Sequence, residues 1–279
     1  MINAFIAGWP VSHSLSPVLH GFWLKRHAIA GDYRAFAVPP EGFAEFLEGL
    51  EGAGLSGGNV TVPHKERAFA LCDLRDRDAE AIGAVNTVWL EAGKLCGTCT
   101  DSHGFAANLD DHAPKWRDCR TALVLGAGGA SRAVIHALVS AGVETVHLVN
   151  RTRQRAQDLA EAFGPAVSVS DWEAASMLAG HSGVIVNTTT LGMGGQGGAP
   201  VDLEQAPADA IVADIVYTPL QTPLLAAAAA RGLQTVDGLG MLLHQAVPGF
   251  ERWFGLRPTV DAQLRAHMLA EIERRKAAQ

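Results

Sequence analysis

Lys65 closes the stretch Asn59-Val60-Thr61-Val62-Pro63-His64-Lys65, one turn past an apolar strand and beside two neutral side chains that donate and accept hydrogen bonds. Such a cluster suits a chain that must hold a polyhydroxylated molecule and move a proton on or off it. Hydride reduction of a ketone leaves a developing alkoxide, to which a lysine ammonium offers both charge and a proton. General-acid help of this kind is worth about 10²–10⁴ in rate. A carboxylate such as Asp101, in Thr100-Asp101, could also make an ordinary salt bridge with Lys65 between strand ends. A nearby carboxylate favours the charged lysine, whereas burial and an arginine-rich neighbourhood disfavour it.

Ser12-His13-Ser14-Leu15-Ser16-Pro17 follows the first strand directly, where α/β sheets present ligand loops. The hydroxyls of Ser14 and Ser16 can converge on one carboxylate, or either can cap the helix that begins near Pro17. No arginine stands in this loop, so hydroxyl donors would have to suffice, each contributing about 1 kcal/mol net.

A second constellation is Gly126-Ala127-Gly128-Gly129-Ala130-Ser131, between an apolar strand and a helical run. Glycines permit the tight turn and the close approach of a pyrophosphate, whose charge the helix N-terminus then stabilises. The third glycine of the usual pattern is Ser131 here. At the end of the next strand, where an acidic residue would hold the ribose 2′-hydroxyl of NAD, the chain reads Asn150-Arg151-Thr152-Arg153-Gln154-Arg155. Three guanidinium groups favour a 2′-phosphate, hence NADP, over a solvated basic helix start. Thr152 suits the N-cap of the helix that follows.

The elements that must position these groups alternate strand and helix, which predicts an α/β fold with parallel sheets. Ala4–Gly8, Tyr33–Val38 and Gly58–Val62 read as strands, with helices over Ser16–Arg26, Gly42–Leu50 and His64–Leu71. Pro63 fits the first turn of the last of these. Val85–Leu90 and Lys94–Cys99 read as a hairpin. After a polar stretch at 112–118, strands are predicted over Thr121–Leu125, Thr145–Asn150, Gly183–Asn187, Ile211–Ile215 and Gln234–Asp237, with a helix over Ala130–Ala141. Gly192–Gly198 reads as loop, and a long helix runs from Gly238 to Phe254. Two domains are the expectation: residues 1–103 plus 239–279, and residues 104–238.

Composition narrows the function further. With 279 residues and 48% apolar side chains, a buried core is available. A net charge of -7 argues against a nucleic-acid partner. No apolar run is long enough to span a bilayer and no signal-peptide pattern opens the chain, so a cytoplasmic location without membrane association is expected. Four cysteines fit a reducing compartment. Cys96-Gly97-Thr98-Cys99 has CxxC spacing, but without a second such pair packing thiols are the better reading. No histidine cluster points to a metal.

Ser14-Leu15-Ser16-Pro17, Asn59 to Lys65, Ala84-Val85-Asn86-Thr87, Thr100-Asp101, the glycine turn with Asn150-Arg151-Thr152, and Asp237-Gly238-Leu239-Gly240-Met241 occur in an order that resembles the shikimate dehydrogenases, from Phe5 to Gln245. The resemblance implies a substrate domain completed by C-terminal helices, a Rossmann NADP domain, and reversible NADPH-dependent reduction of 3-dehydroshikimate to shikimate in aromatic amino-acid biosynthesis. It implies Lys65 and Asp101 as the catalytic pair, with Ser14, Ser16 and Tyr217 on the substrate carboxylate. Asn59, Thr61, Asn86 and Gln245 would meet ring hydroxyls. Gly126, Ala127, Gly128, Gly129, Ala130, Asn150, Arg151, Thr152 and Arg155 would hold the cofactor, with Gly238 and Met241 near the nicotinamide. His64 and Ser102 depart from the family's usual aromatic residue and glycine, which affects the expected pocket shape or pH response. The alternatives are a quinate/shikimate dehydrogenase of broader specificity and a non-catalytic NADP sensor. The small-molecule substrate is the expected partner, to a monomer or homodimer.

Overall fold

The computed structural model describes residues 2–277. They divide into two units, one running to Thr100 and resuming at Gln245, the other spanning Asp101–His244. The first contains β1 (Ile2–Gly8), α1 (Ser16–Arg26), β2 (Gly31–Ala37), α2 (Phe43–Glu48), β3 (Gly57–Val60), α3 (Lys65–Leu71), β4 (Leu74–Arg75), α4 (Arg77–Ile82), β5 (Thr87–Glu91) and β6 (Lys94–Thr98). Its sheet has the order β2-β1-β3-β5-β6-β4. The β1, β2 and β3 strands are parallel, whereas β5 pairs antiparallel with both β3 and β6, so the sheet is mixed. Its core gathers Phe5, Ala7, Phe43, Val60, Val85 and Val88.

The second unit contains α5 (Asp101–His112), β7 (Thr121–Leu125), α6 (Gly129–Ser140), β8 (Thr145–Val149), α7 (Arg153–Phe163), β9 (Val167–Ser170), α8 (Ala175–Ala179), β10 (Val184–Asn187), β11 (Ile211–Asp214), α9 (Pro223–Ala230) and β12 (Gln234–Val236). Its sheet is wholly parallel in the order β12-β11-β10-β7-β8-β9. Counted from β7, that is 3-2-1-4-5-6, the doubly wound dinucleotide-binding order, with its switch point between β7 and β10. Helices on both faces explain why Ala122–Leu125 and Val184–Asn187 are buried throughout and carry no alternating polar residues. The chain then continues through α10 (Leu239–Phe254) and α11 (Ala262–Ala277).

The predicted helix Ser16–Arg26 and strand Thr121–Leu125 stand where periodicity places them, and the hairpin is present as β5–β6. Pro63 does not. It lies outside α3, in a turn closed by a hydrogen bond from the His64 N–H to the Thr61 carbonyl at 2.9 Å. A short 3-10 turn over Met193–Gly195 interrupts the expected glycine loop. All four cysteines are free. Burial pushes the Cys72 thiol up to about 12 and also raises that of Cys96, which makes both poor nucleophiles and poor ligands.

His20 marks the interior of the first unit. Its ring is fully buried, stacked on Tyr33 at 4.0 Å between centroids and surrounded by Trp23, Phe250 and Trp253. Neither ring nitrogen makes a hydrogen bond of acceptable geometry. Burial therefore lowers its pKa to about 3, against a weaker opposing influence from Asn59. A folded pKa depressed below the unfolded value gives stability that is complete above pH 6.5 and lost as pH falls towards 3. Denaturant titrations are expected to show this loss, of order 4 kcal/mol if undiminished, and a His20→Leu variant is expected to lose less stability over the same pH range.

Candidate active site

Two of the first unit's predicted site residues, Asn59 and Gln245, meet a third, the buried Asn86. Asn86 Oδ1 accepts from the backbone N–H of Thr100 at 2.8 Å and from the Thr87 hydroxyl at 2.9 Å. Its Nδ2 donates to Thr100 Oγ1 at 3.0 Å and, at 3.5 Å, to Oε1 of Gln245. Asn59 continues the network, donating from Nδ2 to the Asn86 carbonyl at 3.2 Å and to Thr87 Oγ1 at 3.0 Å, while its Oδ1 accepts from the Tyr33 hydroxyl at 2.6 Å. Both Asn59 donors are thus committed within the protein. Burial raises the Tyr33 pKa well above the phenol range, so it stays a neutral donor. Tyr33, Thr87 and Thr100 were not singled out from the sequence. The only signal was the threonine beside each motif residue, and Tyr33 gave none.

Lys65 opens α3, and its carbonyl accepts from the Val85 N–H at 3.0 Å, tying the lysine's helix to the segment that carries Asn86 into β5. Thr61 leaves β3 with its N–H on the Ala7 carbonyl at 2.9 Å. Asp101 is the first residue of α5, directly after Thr100. The neighbouring departure, His64, keeps an aromatic role: its ring stacks on Phe43 at 4.2 Å, and Nε2 donates to the Val38 carbonyl at 2.7 Å. In the serine loop, Ser14 Oγ accepts from the Ser16 N–H at 3.2 Å, which leaves its O–H to donate elsewhere. This is the capping alternative in part, since α1 has no side-chain cap at Leu15.

In the second unit the glycine turn follows β7 at the switch point. Gly126 has φ +106°, and a Cβ there would press within 2.8 Å of Thr188 and Thr189, so glycine is required. Gly128 and Gly129 instead face open space, the room a pyrophosphate needs at the start of α6. Ser131, in place of the third glycine, is fully buried. Its Oγ accepts from the Gly128 N–H at 2.9 Å and meets Thr188 Oγ1 at 2.7 Å. Asn150 Oδ1 accepts from the Ala127 N–H at 3.1 Å and its Nδ2 donates to the Thr152 carbonyl, locking turn to strand end. Thr152 occupies the N-cap position of α7, but its side chain makes no capping bond. Of the three arginines, Arg153 pairs with Asp171. Arg151 and Arg155 are exposed and make no ion pair among the described residues. These groups fit a phosphorylated dinucleotide.

At the end of β11, Asp214 accepts from Asn187 Nδ2 and the Val216 N–H, each at 3.0 Å, and from the Thr222 hydroxyl at 2.7 Å. Burial raises its pKa despite these donors. The knot fixes the loop that presents Tyr217. Gly238 is required by contact, since a Cβ would lie 2.3 Å from the Ile215 carbonyl oxygen. Met241 lies in the first turns of α10.

Sheet order, glycine turn and arginine pair together define a Rossmann-type, NADP-binding oxidoreductase joined to a second α/β unit. Three family models match the chain: the shikimate dehydrogenase substrate binding domain over residues 6–88, shikimate / quinate 5-dehydrogenase over 110–191, and the shikimate 5'-dehydrogenase C-terminal domain over 238–264. The chain is 57% identical over 273 residues to a shikimate dehydrogenase (NADP(+)) of Brucella abortus, covering 97% of this chain and 94% of that one. The Thermus thermophilus shikimate 5-dehydrogenase solved with NADP(H) and shikimate superposes with a TM-score of 0.85 at 38% identity, over 98% and 99% of the two chains. A Corynebacterium glutamicum quinate dehydrogenase solved with NAD gives 0.90 at 31% identity, over 96% and 99%. The chain belongs to the shikimate dehydrogenase family.

Replacing Thr100 by Val strips Asn86 of a side-chain partner. Stability is expected to fall by about 1–3 kcal/mol in denaturant unfolding, with a raised KM for substrate. An unchanged midpoint would show the network to be dispensable.

Proposed function

We propose that the protein catalyses the reversible NADPH-dependent reduction of 3-dehydroshikimate to shikimate, within aromatic amino-acid biosynthesis. The observation that carries this reading is the lysine-bearing helix anchored to the Asn86 network, in a chain whose second unit has a glycine turn and two unengaged arginines. Bound NADPH supplies the hydride. Lys65 donates a proton to the substrate oxygen as negative charge develops there, and Asp101 orients the ammonium and accepts from a substrate hydroxyl. Ser14 and Ser16 donate to the carboxylate, with Tyr217 adding a third hydroxyl. Thr61, Asn86 and Gln245 meet the ring hydroxyls, and Asn59 backs them through its bonds to Asn86 and Thr87. Gly126 to Ala130 receive the pyrophosphate, Asn150 and Thr152 shape the adenosine end, Arg151 and Arg155 take the 2′-phosphate, and Gly238 and Met241 border the nicotinamide. The unit containing β1 to β6 is the substrate domain on this reading, and the one containing β7 to β12 the NADP domain. No helix among the described residues is long and apolar enough to cross a membrane, in keeping with work on a small molecule in the cytoplasm.

Lys65→Met is expected to lower kcat at least about 100-fold with a modest change in KM; a folded variant with retained kcat would remove the mechanism. In the direction of shikimate oxidation Lys65 must be neutral to accept the proton, so that rate is expected to rise with pH. Arg151→Ala and Arg155→Ala are each expected to raise KM for NADP roughly tenfold or more while leaving NAD unaffected, because each removes a charge-assisted bond. Initial rates with shikimate and quinate, each with NADP and NAD, test the reading against its quinate-oxidising rival, and a preference for quinate with NAD would reverse the assignment.

A further inference from the structure

The serine loop between β1 and α1 is held from the far end of the chain. Arg275 in α11 donates from Nη1 to the His13 carbonyl at 2.8 Å and from Nη2 to the Ser14 carbonyl at 3.3 Å. Its Nε donates to Glu271 at 2.7 Å, and Glu271 takes two further bonds from Arg274. One planar group thus meets three acceptors at once, a use open to a guanidinium and closed to an ammonium. Two arginines share one glutamate here, so a net positive charge stands against the loop. From within, the loop is closed by the Ser14 N–H on the Val11 carbonyl at 3.0 Å and by the Ser16 N–H on Ser14 Oγ.

A pair of serine hydroxyls is a weak hold on an anion unless their direction is fixed in advance. Ser14 accepts from Arg275 at its carbonyl and from the Ser16 N–H at its Oγ, which leaves its O–H free to donate. The arginine missing from the motif in sequence is therefore present in space, behind the loop, on the peptide groups.

We propose that Arg275 is a positioning residue for the substrate carboxylate: by holding the His13 and Ser14 carbonyls it fixes the Ser14 and Ser16 hydroxyls, and its charge favours an anionic group in front of them. The proposal rests on the shikimate reading above and deepens it. Arg275→Met is expected to raise KM for shikimate about tenfold, with kcat and KM for NADP close to wild type. Arg275→Lys, which keeps charge but cannot reach all three acceptors, is expected to fall between the two. Without substrate, the backbone amides of Ser14 and Ser16 are expected to exchange with solvent about tenfold faster or more in Arg275→Met, since the loop opens locally more often. A folded Arg275→Met protein with wild-type KM for shikimate and unchanged exchange would overturn the proposal. So would a fall in melting temperature and kcat with both KM values raised alike, the mark of a merely structural bridge. If the wild-type protein did not turn over shikimate, the functional reading would fall, and amide exchange would still decide whether Arg275 holds the loop.

Discussion

An asparagine side chain withdrawn from water must find partners for its amide inside the protein, because an unpaired buried donor or acceptor costs about 1–3 kcal/mol. Asn86 meets that demand with Thr87, Thr100 and Gln245, and the partners need partners of their own. The requirement spreads to Asn59 and on to Tyr33, whose ring is fixed by the stacked His20. Each residue reached lies on a different element, so the network sets the relative positions of β2, β3, β5, α10 and the chain leaving β6. A site for a polyol is well served by such a frame, since its donors and acceptors are oriented before a ligand arrives.

The second unit uses the same device at the carboxyl ends of its strands. Asp214 draws Asn187, Val216 and Thr222 together, Ser131 draws Gly128 and Thr188, and Asn150 draws Ala127 and Thr152. In each case a side chain fills the hydrogen-bonding needs of a loop that no sheet ladder can satisfy. The loops around the switch point are therefore tied down by side-chain hydrogen bonds, although several contain glycine. Where charge is concerned the unit is selective: Arg153 is spent on Asp171, whereas Arg151 and Arg155 remain available to a phosphate. That distinction is invisible in a run of three arginines, and the proposed grip on a 2′-phosphate rests on it.

One departure from the family pattern, His64, and one from the usual dinucleotide glycine pattern, Ser131, acquire physical meaning. His64 replaces an aromatic residue without loss of stacking, because an imidazole can lie flat on Phe43 while its N–H satisfies the Val38 carbonyl. Ser131 replaces a glycine in the turn and becomes part of its hydrogen bonding. Both changes are absorbed by the surrounding structure. The quinate dehydrogenase solved with NAD shares the fold at 31% identity; where an acidic residue after the second strand would hold the ribose of NAD, this chain has Asn150 and Arg151.

By itself the sequence determined the alternation of strands and helices and the glycine turn with its strand-to-helix context, and it offered the lysine, aspartate and serines as candidates. These are local patterns, set by side-chain periodicity and by which residues tolerate a turn. The tertiary structure alone decided the mixed order of the first sheet, the place of Pro63 outside its helix, and which arginine is already paired. It also decided the roles of Tyr33, Thr87 and Thr100, and the reach of Arg275 to His13 across 262 positions. Nothing periodic marks such residues. Their function comes from contacts between segments far apart in the chain, and those exist only once the sheets have formed and buried the polar groups that need them.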